Sequence, residues 1–283
     1  MAPKLKQTLI TRPIRAVSAA SWVYPLKGIY YFLTHPFLYP LLRARLLPCT
    51  LLSLFVLSSL FVWTYLPQVA FLAVVFRQGH SAWLNGTVLV LGEGAAIIAI
   101  LFEAFLVDEA QVDIFDAVLV SEGHDDLVRT MRPVEDALLS AEYANPVRRL
   151  GRPTKASVYA PFSLRQIVEF VVLLPLNFVP FVGVPLFLLL TGYRAGPFQH
   201  WRYFKLRALS RKERDAEVAK RRKSYTWFGT VALLLQLVPV LSMLFLLTTA
   251  AGAALWAARL EEEKMMAEER AQSGTQEYAD NPV

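Results

Sequence analysis

Four long apolar blocks, separated by a short turn and by two charge-rich stretches, set the pattern of this 283-residue chain. The first block, Pro48 to Phe76, carries no charged residue. At about 1.5 Å per residue it is longer than the roughly 30 Å hydrocarbon core of a bilayer, so as a spanning helix it must tilt or protrude. Pro67 is placed to kink its far end. The second block runs from Trp83 to Val107, and the short connection Arg77 to Ala82 forces the two into an antiparallel hairpin. The sequon Asn85-Gly86-Thr87 abuts the membrane in this arrangement, and no use of it is expected.

The third block, Phe162 to Thr191, holds Pro175, Pro180 and Pro185 at five-residue spacing, with Asn177 and Gly183 between them. Each interior proline removes a backbone hydrogen bond at a cost of about 3 kcal/mol, so the helix must break there. Pro185 then starts a new helix, where its missing N–H costs nothing. The two arms, Phe162–Leu174 and Pro185–Gly196, are each only about 18–20 Å long, short of a full crossing. The spacing therefore predicts a re-entrant helical hairpin. The fourth block, Trp227 to Ala258, is too long for a simple span and contains Pro239, which leaves both a single span and a second broken hairpin open.

Ahead of the first block, seven aromatics lie between Trp22 and Tyr39 and are followed by Arg43 and Arg45, the pattern of an interfacial helix at headgroup depth. The chain thus divides into a basic flank with that helix (1–47), a transmembrane hairpin (48–107), a polar acidic insert with helical pieces (108–160) and a proline-broken membrane hairpin (161–204). A basic surface segment (205–226), a second membrane hairpin or span (227–260) and an acidic tail (261–283), helical at first and then disordered, complete it. The expected fold is an all-α integral membrane protein: two long transmembrane helices plus two broken or re-entrant helical hairpins, with a polar helical insert.

Composition agrees, with 55% hydrophobic and 18% charged residues against roughly 45–50% and about 25% in soluble domains. It excludes a disulfide scaffold, a disordered chain and a typical nucleic-acid binder; the lone Cys49 reads as a small hydrophobe. Charge placement decides between topologies. Residues 1–47 carry seven bases and no acid, residues 192–226 eleven bases and three acids, and the turn between the first two blocks only Arg77. Four full spans would put 16 flanking bases inside and 12 outside, whereas two spans plus two hairpins put 27 inside and Arg77 alone outside. The second arrangement satisfies the positive-inside rule. The acid-free start also has some features of a mitochondrial transit peptide, a minor alternative to a cytoplasmic flank that meets anionic lipid.

No catalytic constellation is visible, so an enzyme is not expected, and no cofactor or metal is called for. His35, His80, His124 and His200 are scattered without metal-ligand spacing. Glu93, between Gly92 and Gly94, and Glu103 are ionisable groups in a membrane helix and therefore functional candidates, Glu93 the stronger. Their spacing rotates them roughly 80° apart, so they form no carboxylate pair. The main candidate site is the hairpin turn with Asn177, Pro180 and Gly183, followed by Arg194, His200 and Arg202: a half-helix N-terminus inside a membrane can meet an anion. The competing reading is that proline and glycine only shape a hairpin whose arginines sit at the interface.

At these residues the chain resembles the family that joins bacterial CysZ sulfate permeases to eukaryotic etoposide-induced proteins, through Leu176-Asn177-Phe178-Val179-Pro180, Gly183 and Gly252-Ala253-Ala254-Leu255-Trp256. It is similar above all to the fungal outer spore wall or lipid-droplet-in-sporulation branch, through Gly192-Tyr193-Arg194-Ala195-Gly196-Pro197 and His200-Trp201-Arg202-Tyr203-Phe204. The resemblance implies two long helices with two partial-membrane hairpins, residence in endoplasmic reticulum, lipid droplets or forespore membrane, and a non-enzymatic part in ascospore wall assembly. Sulfate-type transport, the role of the bacterial branch, is the alternative. Expected partners are the bilayer and its anionic lipids, with membrane-protein partners or a second copy of the chain also open, and no nucleic acid.

Overall fold

The computed structural model describes residues 20–105, 108–136, 145–152, 172–173, 175–176, 179, 182–238 and 241–280. The described residues are helical throughout, apart from turns and one isolated bridge between Val134 and Leu150. The transit-like start (1–19) and most of the first hairpin arm, Phe162–Leu174, lie outside them.

After a 3-10 turn at Ser21–Val23, α1 (Tyr24–Thr34) leads through a second turn, Pro36–Leu38, into α2 (Tyr39–Leu60). Pro40 sits in the first turn of α2, where no N–H is needed. The helix thus begins nine residues before the apolar block that Pro48 opens. A π turn at Phe61–Tyr65 joins α2 to α3 (Leu66–Val74). Pro67 explains it: the proline ring crowds the carbonyl four residues back, that of Trp63, and the wider turn makes room. Arg77 and Gly79, both with positive φ (51° and 56°), then reverse the chain into α4 (Ser81–Phe105). Two glycines let α4 approach: a Cβ on Gly94 would meet Leu57 at 2.6 Å, and one on Gly86 would meet Val69 at 2.6 Å. The outer face of α2 and α3 stays bare, with Phe55, Val62, Trp63 and Val74 between 69% and 79% exposed.

The rest of the molecule is built around α12 (Ser242–Asp280), on which α1, α2, α5 (Asp108–Ser121) and α11 (Arg222–Gln236) pack. Among the described residues two stretches have the length and hydropathy of a membrane span, Leu244–Gln272 of α12 and Thr50–Val74. The two differ in surroundings: Thr50–Val74 is largely uncovered, whereas α12 is sheathed, with Ala251, Ala253, Ala254 and Ala257 fully buried. Close approach of α1 to α12 rests on Gly28 and Gly252, since a Cβ on Gly28 would lie 2.1 Å from the Thr248 carbonyl oxygen. Where a disordered tail is expected, the chain stays helical to Asp280. Ion pairs from Arg259 to Glu262 and Glu263, and from Lys264 to Glu261, reinforce this strongly helix-forming sequence.

The polar insert supplies α5 and the short helices α6 (Asp125–Arg129) and α7 (Pro146–Arg149). Far from being an appendage, α5 buries Ile114, Phe115, Val118 and Leu119 against the core. Beyond it come α8 (Gly183–Phe198), α9 (Trp201–Leu206) and α10 (Arg211–Lys220). Helix α8 starts two residues before Pro185, and its antiparallel partner α11 ends ahead of Pro239, itself outside the described residues. The fourth apolar block is therefore two helices, α11 and the start of α12, which pack on each other. Helices α8 and α11 pack through Gly192, Gly196 and Gly229, and this antiparallel register brings the start of α8 and the end of α11 to the same end of the pair. That end is apolar and exposed: Val182, Val238 and Leu241 all face outward.

Candidate functional site

At the opposite end of α8 and α11 lies a knot of buried polar groups. Asp116, fully buried on α5, accepts from Arg202 Nε at 3.0 Å and Nη2 at 2.6 Å, and from Arg132 Nη1 at 3.1 Å. Arg132 also donates to Asp113 at 2.8 Å and to the Gly151 carbonyl, which ties the segment after α6 to the one after α7. Burial pushes the Asp116 carboxyl up, while the guanidiniums of Arg202 and then Arg132 pull against it. Two cations face two carboxylates, and each is engaged. Such a cluster joins α5, α9 and the loop at Arg132 instead of presenting a free cation to a ligand. The cleft beside it, lined by Gln111, Phe115, Gln199, Trp201 and Arg202, holds about 30 Å³, room for water and not for an organic ligand.

His200 is fully buried in the turn between α8 and α9. Its Nε2 lies 3.1 Å from the Ala253 carbonyl, which can only accept, so Nε2 carries the proton and Nδ1 accepts from the Tyr225 hydroxyl at 3.1 Å. Burial pushes this imidazole down to about 3 and so keeps it neutral. Trp256 covers it, with ring centroids 4.5 Å apart, and packs on Tyr225 at 4.8 Å. Burial likewise raises the Tyr225 hydroxyl. His200 therefore pins α8, α11 and α12 together.

The candidate constellation divides into parts. Asn177 and Pro180 lie outside the described residues. Gly183 is buried at the start of α8, and Arg194 is exposed near its other end, roughly 16 Å further along the axis. His200 and Arg202 belong to the buried knot, and Arg202, a candidate for an anion or the interface, is committed to Asp116. Glu93 accepts from Gln68 Nε2 through both oxygens, at 3.0 and 2.9 Å, which joins α3 to α4. The Glu103 side chain lies outside the described residues. The sequon Asn85 is buried and donates to Gln78 at 2.8 Å, sealed from modification. Among the described residues no cluster of three His, Cys, Asp or Glu is placed to hold a metal.

Sequence reading missed Asp116 and Arg132. The signal was present, because Asp116 interrupts the apolar run Ile114 to Val120 on a helix that is buried on that face. A carboxylate in such a position needs a buried cation.

Residues 24–246 match the family described as sulfate transporter CysZ/etoposide-induced protein 2.4. The chain belongs to this family. The match spans the first helical hairpin, the acidic insert, the glycine-crossed pair α8 and α11, and the start of α12. No curated protein and no solved structure matches the chain. Membership in the CysZ/etoposide-induced family, with two helices of spanning length and hydropathy among the described residues, supports a membrane protein.

Proposed function

We propose that this member of the CysZ/etoposide-induced family is a non-enzymatic membrane protein of the fungal spore-wall and lipid-droplet branch, which organises lipid-rich or wall-precursor membranes of the endoplasmic reticulum, lipid droplet or forespore. One observation carries the reading. Apolar surface is left bare in two places, the outer face of α2 and α3 and the tip where α8 starts and α11 ends, at Val182, Val238 and Leu241. Trp63 is 79% and Val182 60% exposed; isolated apolar residues on a surface are ordinary, but continuous bare stripes call for lipid. On this reading α2 with α3, and α4, cross the bilayer as an antiparallel pair, while α8, α11 and the start of α12 enter it from one side and return. The spore-wall motifs at Gly192–Pro197 and His200–Phe204 support the fungal branch.

Transport of a sulfate-type anion is the second reading, favoured by the family's description. The commitment of Arg202 to Asp116 weighs against it. Two experiments separate the readings. A tagged copy is expected on endoplasmic reticulum or lipid droplets in growing cells and at the forespore membrane during sporulation; a mitochondrial location would contradict this. Purified protein in liposomes is expected to carry no sulfate, and a flux abolished by Arg194→Ala would establish the transport reading instead.

A further inference from the structure

The exposed faces of α8 and α11 are graded. Along α8, Val182, Leu186, Leu190 and Arg194 recur every four residues, all exposed, so one stripe runs from the apolar tip to a base. Along α11 the exposed residues run the opposite way in sequence and the same way in space: Lys223 and Arg222, then Trp227, then Leu234 and Val238. The two stripes meet at the charged end, where the Arg222 guanidinium lies over the Tyr193 ring at 4.8 Å. From Val182 to Arg194 is about 18 Å along the helix, close to half of a hydrocarbon core of roughly 30 Å. A hairpin that enters one leaflet to that depth places Tyr193 and Trp227 at the interface and the three bases among the headgroup phosphates. On α10, Glu213 caps the helix at Ser210, Asp215 meets Arg214, and Glu217 meets Arg221.

We infer that Arg194, Arg222 and Lys223, with Tyr193 and Trp227, form a site for the headgroup phosphate of an anionic phospholipid, which fixes the depth of the α8–α11 hairpin in one leaflet. The inference rests on the membrane reading above and goes further by assigning the lipid class and the residues. Arg222 supplies a planar donor fork already oriented by Tyr193, and Lys223 a compact charge one helical turn from Trp227.

The test uses the full chain, purified with equal amounts of phosphatidylserine and phosphatidylcholine, with the bound lipid counted by native mass spectrometry. The wild type is expected to retain phosphatidylserine preferentially. Arg194→Gln, Arg222→Gln and Lys223→Gln are each expected to lower that preference about fivefold, the effect of roughly one surface charge. Arg222→Lys, which keeps the charge and gives up the planar fork, is expected to lose less than Arg222→Gln, which separates lost charge from a lost fold. Arg211→Gln with Lys212→Gln, on α10, is expected to change nothing. Undiminished selectivity in the triple variant, an equal loss in the α10 variant, or displacement of the lipid by millimolar inorganic phosphate would each overturn the assignment. A bimane label at Val182→Cys, on a Cys49→Ser background in nanodiscs, separates the lipid site from the hairpin that carries it. Quenching by mid-chain brominated lipid without headgroup selectivity defeats the site alone, and absence of quenching defeats the hairpin reading with it.

Discussion

Asp116→Ala is expected to destabilise the protein by about 3–5 kcal/mol, because it leaves Arg202 and Arg132 buried without their shared carboxylate. Arg202 is 2% and Arg132 5% exposed, so neither can recover its lost partner from water without opening the structure. The apparent Tm in detergent should fall by roughly 10 °C, taking about 2–4 °C per kcal/mol for a chain of this size class. Asp116→Asn should be nearly as damaging, since it preserves shape and removes the charge. The pair Asp116→Leu with Arg202→Leu should be less damaging than the sum of its single substitutions, because an apolar pair of similar volume replaces a buried ion pair at little net cost. A Tm for Asp116→Ala within about 2 °C of wild type, at the scale of a surface substitution, would show that the knot is not structural.

Gly196→Leu is expected to be the other severe lesion. A Cβ at Gly196 would lie 2.0 Å from the Tyr225 carbonyl oxygen and 2.7 Å from its carbon, and one at Gly229 would lie 2.2 Å from the Gly192 carbonyl oxygen. These are backbone atoms, which no rotamer change can clear, so α8 and α11 must part. The cost should exceed the roughly 1–3 kcal/mol of ordinary overpacking. His200 would lose its Tyr225 partner in the same movement. Gly92→Ala is the control, since its Cβ would meet only Phe187 at 3.9 Å. The expected outcome is loss of monodisperse protein in size-exclusion chromatography for Gly196→Leu and a wild-type profile for Gly92→Ala. Equal behaviour of the two would refute the crossing.

Helix ends dictated by local chemistry were legible in the sequence. Pro185 removes a donor wherever it sits, so the start of α8 follows from residues within a few positions of it, whereas Pro239 alone left both a single span and a broken hairpin open for the stretch that forms α11 and the start of α12. The π turn ahead of Pro67 has the same local origin, although the sequence announces only a kink. The pairing of Arg202 with Asp116 was not legible, because 86 residues separate them and the choice of partner is made only when α5 and α9 dock. Arg202 looks in sequence like Arg194, a base after a membrane hairpin, yet one is buried and the other exposed. The helical start of the tail at Glu261 was legible, and its continuation to Asp280 extends further than the polar later residues suggested.

The same contrast explains what the two spanning-length helices mean. Hydropathy alone treats Thr50–Val74 and Leu244–Gln272 alike, but the first shows its apolar face to the outside and the second is covered by α1, α2, α5 and α11. Lipid exposure is a tertiary property, set by which helices possess glycines where neighbours must approach. Gly28, Gly252, Gly192, Gly196 and Gly229 gather four helices into one body, and α2 and α3 keep a free side.

In the proposed topology α8, α11 and the start of α12 enter the membrane and return, so that the basic α10 and the far end of α12 share one side of the bilayer while Arg77 lies on the other. Sided labelling of single cysteines in sealed vesicles, on a Cys49→Ser background, tests it directly. Lys212→Cys and Glu268→Cys are predicted to react with an impermeant maleimide from one side, and Arg77→Cys from the opposite side. Labelling of Lys212→Cys from the same side as Arg77→Cys would contradict the account.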